Sequence, residues 1–298
     1  MNLIVSPAPH LKSRASTRGI MAVVLIALLP CVIASVYYFG WRCLLLIAIT
    51  ALSCVVFELL AQLIAKRRVT INDLSAVVTG VILALNLPST APWWLPVIGS
   101  AIAILLVKQL FGGIGCNFLN PALAARAILV SSWPVHMNNF PDAISSATPL
   151  AMETPPALNE LFMGEISGVM GEVCKPAILI GLLILLLTSA VSWHVPASFI
   201  GSFMLFSWLF GADPLTAVLS GGVLFGAVFM ATDYVTNPMT HKGQLVFGLG
   251  CGLLVAVIRA FGSYPEGVTF AILIMNILTP LIDRFMRPKV YGEVKGNA

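Results

Sequence analysis

The sequence predicts an all-α integral membrane protein of about ten transmembrane helices, built as two inverted five-helix repeats in which some helices are short or broken. Three observations lead there. Apolar residues make up 59% of the chain and charged residues only 9%, where a soluble domain has roughly 45–50% and about 25%. Ten apolar runs approach the roughly 20 residues that a helix needs to cross a bilayer core, and some fall short of it. A segment of the first half is echoed in the second.

The first run, Gly19 to about Phe39, follows Lys12, Arg14 and Arg18. It is too long for a signal-peptide core and shows no small-residue cleavage site, so it is expected to stay attached. The second opens at Arg42 and ends before Lys66-Arg67-Arg68. The third, Leu74–Leu87, spans only about 21 Å at the rise of an α-helix. It runs into Asn86-Leu87-Pro88-Ser89-Thr90 and is too short to cross alone. Pro92–Phe111 is the fourth, with Trp93 and Trp94 placed as an interfacial belt places them. Asn120-Pro121, a cap followed by proline in the first helical position, starts the fifth, which reaches about Trp133. A polar interval at 134–173 carries Asp142, Glu153, Glu160, Glu165 and Glu172 before Lys175 appears. The last five runs are Pro176–Trp193, Ala197–Phe210, Leu215–Ala231, Leu245–Phe261 and Val268–Phe285.

Cytoplasmic loops retain Lys and Arg. With ten crossings and a cytoplasmic N-terminus, all of the 16 basic residues except Arg42, Lys175 and Arg259 fall on the cytoplasmic side. The acidic interval is then extracytoplasmic, and the 112–120 and 233–242 loops face inward. The echo is between Asp73-Leu74-Ser75-Ala76-Val77-Val78-Thr79-Gly80 and Asp213 followed, after Pro214, by Leu215-Thr216-Ala217-Val218-Leu219-Ser220-Gly221. The expected organisation is a first five-helix repeat at 1–133, an extracytoplasmic loop at 134–173 and a second repeat at 174–298. Inverted repeats with interrupted helices place a ligand site near the midplane between the halves.

A formal charge of +4, without basic residues interleaved among aromatics, argues against nucleic acid. The six cysteines form no Cys-x-x-Cys pair and read mostly as small buried apolar residues. No carboxylate cluster or histidine spacing gives a metal site, and no residue set gives a complete catalytic centre. Glu58, Lys108 and Arg126 are ionisable residues inside apolar runs and therefore functional suspects, although Lys108 is close enough to a helix end to snorkel. Asn117 and Asn120 sit three apart at a helix start, where amides and free backbone N–H groups could meet a ring edge or simply cap the helix. Asn86 with Ser89 and Thr90, and Thr232-Asp233 with Thr236-Asn237-Pro238, mark breaks in the two halves. In the acidic loop, Asp142-Ala-Ile-Ser145-Ser-Ala-Thr148-Pro149 presents a threonine hydroxyl that the following proline holds in extended backbone.

LSAVVTGVILALNLPST at 74–90, GGIGCNFLNPALAAR at 112–126, the 142–148 loop and MATDYVTNP at 230–238, in that order, resemble the RnfD/NqrB family. That family comprises the RnfD component of the Rnf complex, an ion-translocating ferredoxin:NAD oxidoreductase, and more distantly the NqrB component of the sodium-translocating NADH:quinone reductase. The resemblance implies a covalent FMN joined through its phosphate to Thr148, in a pattern like Asp-x-x-Ser/Thr-Gly-Ala-Thr to which Asp142 and Ser145 conform and in which Ser146 replaces glycine. It also implies a non-covalent riboflavin associated with Asn117 and Asn120. The expected role is electron transfer between these flavins in a bacterial inner membrane. Partner subunits, including iron–sulfur subunits and a second covalent-flavin subunit, would perform the end reactions. The quinone-reductase component is the nearest alternative, disfavoured by the brief segment before the first span, and a small-solute channel or transporter with inverted repeats is a second. The acidic loop favours electron transfer over the transporter.

Overall fold

The structure is a computed structural model that describes residues 16–138, 157–164, 168–262 and 267–286. Asp142, Ser145 and Thr148 lie outside the described residues, as do Lys12 and Arg14. Every regular element among the described residues is helical, so the predicted all-α membrane architecture holds. Helices α1 (Thr17–Phe39), α2 (Trp41–Ile64), α12 (His241–Phe261) and α13 (Val268–Phe285) are long and apolar enough to cross a membrane. The shorter apolar helices are α3 (Ser75–Leu85), α4 (Trp94–Ala101) with a π-helical extension at Ile102–Gln109, α5 (Pro121–Ser132), α8 (Lys175–Leu187) and α9 (His194–Leu209). Between them lie α6 (Pro134–Met137), α7 (Leu158–Met163), α10 (Pro214–Leu219) and α11 (Val223–Phe225), the last continued by a second π-helical segment at Gly226–Met230.

Three of the apolar runs end differently from expectation. The sixth stops at Leu187, because Thr188 turns its hydroxyl back to Ile184 O at 2.7 Å and Ser189 takes a left-handed conformation, φ 52°. The eighth is two helices, since Ser220 is extended and Gly221 has φ 68°. The ninth begins four residues early, at His241, where Thr240 accepts a hydrogen bond from Gly243 N at 3.1 Å and stabilises a polar first turn that hydropathy alone does not register.

The repeated segment carries the same local contact in both copies. Asp73 accepts hydrogen bonds from Ser75 N at 2.9 Å and Ser75 Oγ at 2.6 Å ahead of α3; Asp213 accepts from Thr216 N at 2.8 Å and Thr216 Oγ1 at 2.5 Å ahead of α10. Ser75 and Thr216 are the aligned hydroxyl residues of the echo.

Backbone released where helices break must find partners inside the protein. Beyond α3, Leu85 O accepts from Gly171 N at 2.7 Å and Leu87 O from Met170 N at 3.3 Å, so residues 168–173 lie against the broken end. Arg42 donates to Thr90 O and Ala91 O, at 3.2 and 3.3 Å. At the second break Arg259 donates to Ala217 O at 2.8 Å and Ser220 O at 3.1 Å, while Lys175, fully buried, donates to Glu172 O. The three basic residues that charge counting assigns to the extracytoplasmic side are thus all engaged with backbone carbonyls.

Helices α9 and α12 pack along a seam of small residues. A Cβ placed on Gly252 would stand 2.6 Å from Phe199 O and overlap Ser202 Oγ; one on Gly248 would stand 2.8 Å from Val195 O and overlap Ser198 Oγ. Close approach of this kind drives helix association in lipid, where apolarity alone gives no preference. Gly252→Leu is expected to lower stability by about 1–3 kcal/mol, read as a lower thermal midpoint in detergent. Gly201→Leu, whose Cβ meets nothing within 4 Å, should leave the midpoint unchanged.

Candidate functional site

The two π-helical segments approach one interior space. In each, backbone N–H groups reach five residues back, as in Leu110 N to Leu105 O at 3.1 Å and Ala231 N to Gly226 O at 2.8 Å. Such segments displace side chains from the regular helical stripe and recur at functional sites. The space is a cavity open at one mouth. Val24, Val78, Ile82, Leu185 and Phe229 supply apolar wall; Ser75, Lys108, Asn117, Asn120, Thr232 and Asp233 supply polar groups. Its walls come from both halves of the chain.

Asn120 serves first as a helix cap. Its Oδ1 accepts from Ala122 N at 3.1 Å and Leu123 N at 3.4 Å, and its Nδ2 donates to Met230 O at 3.1 Å, tying the start of α5 to the second π-helical segment. Asn117 Nδ2 donates to Leu119 O at 2.9 Å, which shapes the loop. The structure brings both asparagines to the cavity wall, each with backbone work to do.

Lys108 does not snorkel. It is buried, its ammonium 2.9 Å from Glu58 Oε2 on α2 and 2.6 Å from Ser75 Oγ on α3. The other Glu58 oxygen accepts from Gln109 Nε2 at 2.9 Å and Gln62 Nε2 at 3.3 Å. A charge pair survives burial only when its remaining hydrogen-bonding capacity is met in this way. Lys108 and Ser75 face the cavity, whereas Glu58 stands behind them.

Asp233 also lines the cavity, from the connection beyond the second π-helical segment, and accepts from Thr236 Oγ1 at 3.2 Å. Burial pushes its carboxyl above the ordinary aspartate range, and hydrogen bonds from Thr236 and the backbone of Val235 and Tyr234 oppose that shift. Neighbouring Thr232 turns its hydroxyl to Val228 O at 2.6 Å, and Tyr234 donates to Ala190 O.

The other polar break, by contrast, does not line this cavity. Asn86 Nδ2 donates to Ile82 O at 2.7 Å, and its Oδ1 accepts from Arg126 Nη1 at 2.8 Å, so the buried guanidinium is held by an amide carbonyl. Sequence reasoning singles out Glu58 and Lys108 separately and misses their union. Two opposite charges in neighbouring apolar runs are the available signal.

Residues 4–292 match the NQR2, RnfD, RnfE family. The chain belongs to it. It is 47% identical to the component designated D of the Na⁺-translocating ferredoxin:NAD⁺ oxidoreductase complex of Acetobacterium woodii, over 99% of this chain and 97% of that one. Identity to the component designated D of the proton-translocating ferredoxin:NAD⁺ oxidoreductase complex of Clostridium ljungdahlii is 37%, over 97% and 96%. Identity to its counterpart in the ion-translocating oxidoreductase complex of Salmonella paratyphi B is 35%, over 98% and 99%.

In this member of the NQR2, RnfD, RnfE family the Glu58–Lys108 pair makes a direct test of how the cavity wall is held. Glu58→Leu leaves an uncompensated buried ammonium and should cost about 3–5 kcal/mol. The double change Glu58→Leu with Lys108→Met removes both charges and should recover most of that loss in thermal unfolding. A double variant no more stable than the single one would show that the unpaired ammonium is not the cause.

Proposed function

We propose that this chain is a membrane electron-transfer component of an ion-translocating ferredoxin:NAD oxidoreductase complex, carrying a covalent FMN on Thr148 and a riboflavin in the cavity. The observation that carries the reading is the cavity itself, in a chain of this family. Its walls combine apolar surface with separated donors and acceptors, as a planar heterocycle with a polar edge requires.

The residues divide the work. Phe229, Val78 and Ile82 offer apolar faces and exclude water; Asn117 and Asn120 set the loop and helix start against which the ring lies. Bound flavin supplies the one-electron chemistry, and the protein supplies binding, orientation and electrostatic environment. At Thr148 the hydroxyl receives the flavin phosphoryl group as a phosphoester, with Asp142 and Ser145 completing the recognition pattern.

The chain is placed in a bacterial cytoplasmic membrane, both termini cytoplasmic and the 134–173 loop outside, with five-helix units at 1–133 and 174–298. The matched Asp73–Ser75 and Asp213–Thr216 contacts support that two-unit reading. Ferredoxin and NAD chemistry belongs to partner subunits, including iron–sulfur subunits and a second covalent-flavin subunit. The names of the relatives support membership of such an assembly.

Two measurements test the proposal. On a denaturing gel under ultraviolet light, the natively expressed chain should fluoresce, Thr148→Val should be dark, and mass spectrometry should find one FMN on the loop peptide. A dark wild-type band would end the covalent-flavin reading. Asn117→Leu with Asn120→Leu should lower acid-extractable riboflavin while the covalent flavin stays; both flavins at wild-type stoichiometry would remove the asparagines from the site.

A further inference from the structure

At the end of α2 the chain carries charge that neither the cavity nor the helix breaks use. Ile64 closes the helix and Lys66-Arg67-Arg68 follow almost at once, all three exposed. Lys66 N donates to Leu63 O at 3.1 Å and Arg67 N to Gln62 O at 2.9 Å, with Lys66 itself left-handed at φ 51°. This is the paired-bond helix ending that glycine ordinarily supplies, here built on a lysine. Gln62 then fixes the far side of the loop: its Oε1 accepts from Thr70 N at 3.0 Å, and its Nε2 donates to Thr70 Oγ1 at 2.9 Å. The three cations are therefore carried on a held turn, and none of them forms an ion pair among the described residues.

Arg67 also lines a groove between α2 and the π-helical extension of α4, with Ala61, Ile64 and Ala65 on one wall and Leu105 and Leu110 on the other. Ala61 and Ala65 stand about one turn apart on the same helix face, and their small side chains leave the space between the two helices unfilled. Gln109, the other polar residue of the lining, turns its amide to Glu58 Oε1 at 2.9 Å. Trp41 opens α2 and is exposed, so the helix runs from an aromatic end to a cationic end and its last turn meets the membrane surface. Aliphatic walls beside unpaired cations at that level fit an amphiphile whose anion is continuous with its acyl chains. An acidic peptide would meet the cations and leave the aliphatic walls uncovered, and a zwitterionic lipid would bring its own cation against the loop. We propose that this groove binds an anionic phospholipid, the Arg67 guanidinium donating to the phosphodiester oxygens, Lys66 and Arg68 adding positive potential, and an acyl chain lying along Ala61 and Ala65. The inference is independent of the flavin reading.

The test uses the purified complex in phosphatidylcholine vesicles containing a trace of phosphatidylglycerol with a diazirine in its acyl chain. After irradiation and digestion, the labelled peptides are mapped by mass spectrometry. Wild type should be labelled in the peptides carrying Ala61–Ala65 and Leu105–Leu110. Unlabelled phosphatidylglycerol should suppress that labelling at about one-tenth of the mole fraction that phosphatidylethanolamine requires, the ratio expected for one charge-assisted hydrogen bond. Arg67→Gln should bring the two competitors level, and Arg67→Lys, which keeps the charge, should retain a several-fold preference. Ala65→Leu fills the groove and leaves the cations in place; it should lower labelling there while labelling at Leu205, exposed on α9, stays as in wild type. Equal competition by the two lipids in wild type, a tenfold preference that persists in Arg67→Gln, or groove labelling undiminished by Ala65→Leu would each overturn the site. A groove left unlabelled in the intact complex would overturn it as well, by assigning this face to a neighbouring protein subunit.

Discussion

Backbone polarity inside lipid is the constraint on which the rest of this structure depends. A helix that stops within the bilayer exposes carbonyls and N–H groups that water cannot reach, and each must be met from within the protein. Here the broken end of α3 is met by Gly171, Met170 and Arg42, and the broken end of α10 by Arg259. The solution links distant parts of the chain. Residues 168–173 lie on α3, and Asn120 at the start of α5 lies on Met230 of the second π-helical segment. The breaks thereby hold the two halves together around a cavity.

That arrangement explains why the polar inventory of so apolar a chain is not scattered. The Glu58–Lys108 pair, with Ser75, Gln62 and Gln109 around it, turns an expensive buried charge into a fixed dipole whose positive end meets the cavity. Asp233 brings a carboxylate to the same cavity from a connection that is itself held by Thr236 and Thr279, the latter donating to Thr236 O at 2.9 Å. Lys108 and Asp233 are thus positioned by Glu58 and Thr236, which do not themselves line the cavity.

The long helices play a different part. Along α9 and α12, Gly248 and Gly252 bring backbones close enough for dispersion to act over the whole seam. The cavity lies instead at the broken elements. Family membership and this division between packed seam and polar break agree: the segments at 74–90, 112–126 and 230–238 that carry the family resemblance supply most of the polar groups around the cavity.

By itself the sequence determined the class and most of the elements, because twenty-residue apolarity, paired basic stops and proline after a capping residue are local signals with local causes. The apolar run Val268–Phe285 coincides with α13, and Asn120 caps the helix that Pro121 opens. Tertiary structure decided what local signals do not contain. Ser189 and Gly221 end helices through positive φ inside otherwise apolar runs, and Thr240 begins one among polar residues. Glu58 and Lys108 stand fifty residues apart, and their union depends on α2, α3 and α4 meeting. The meeting of Lys108 and Asp233 at one cavity depends on two breaks that hydropathy sees only as missing length. Hydrophobic pattern is written along the chain, whereas the partner of a buried polar group is chosen by which segments fold back on one another.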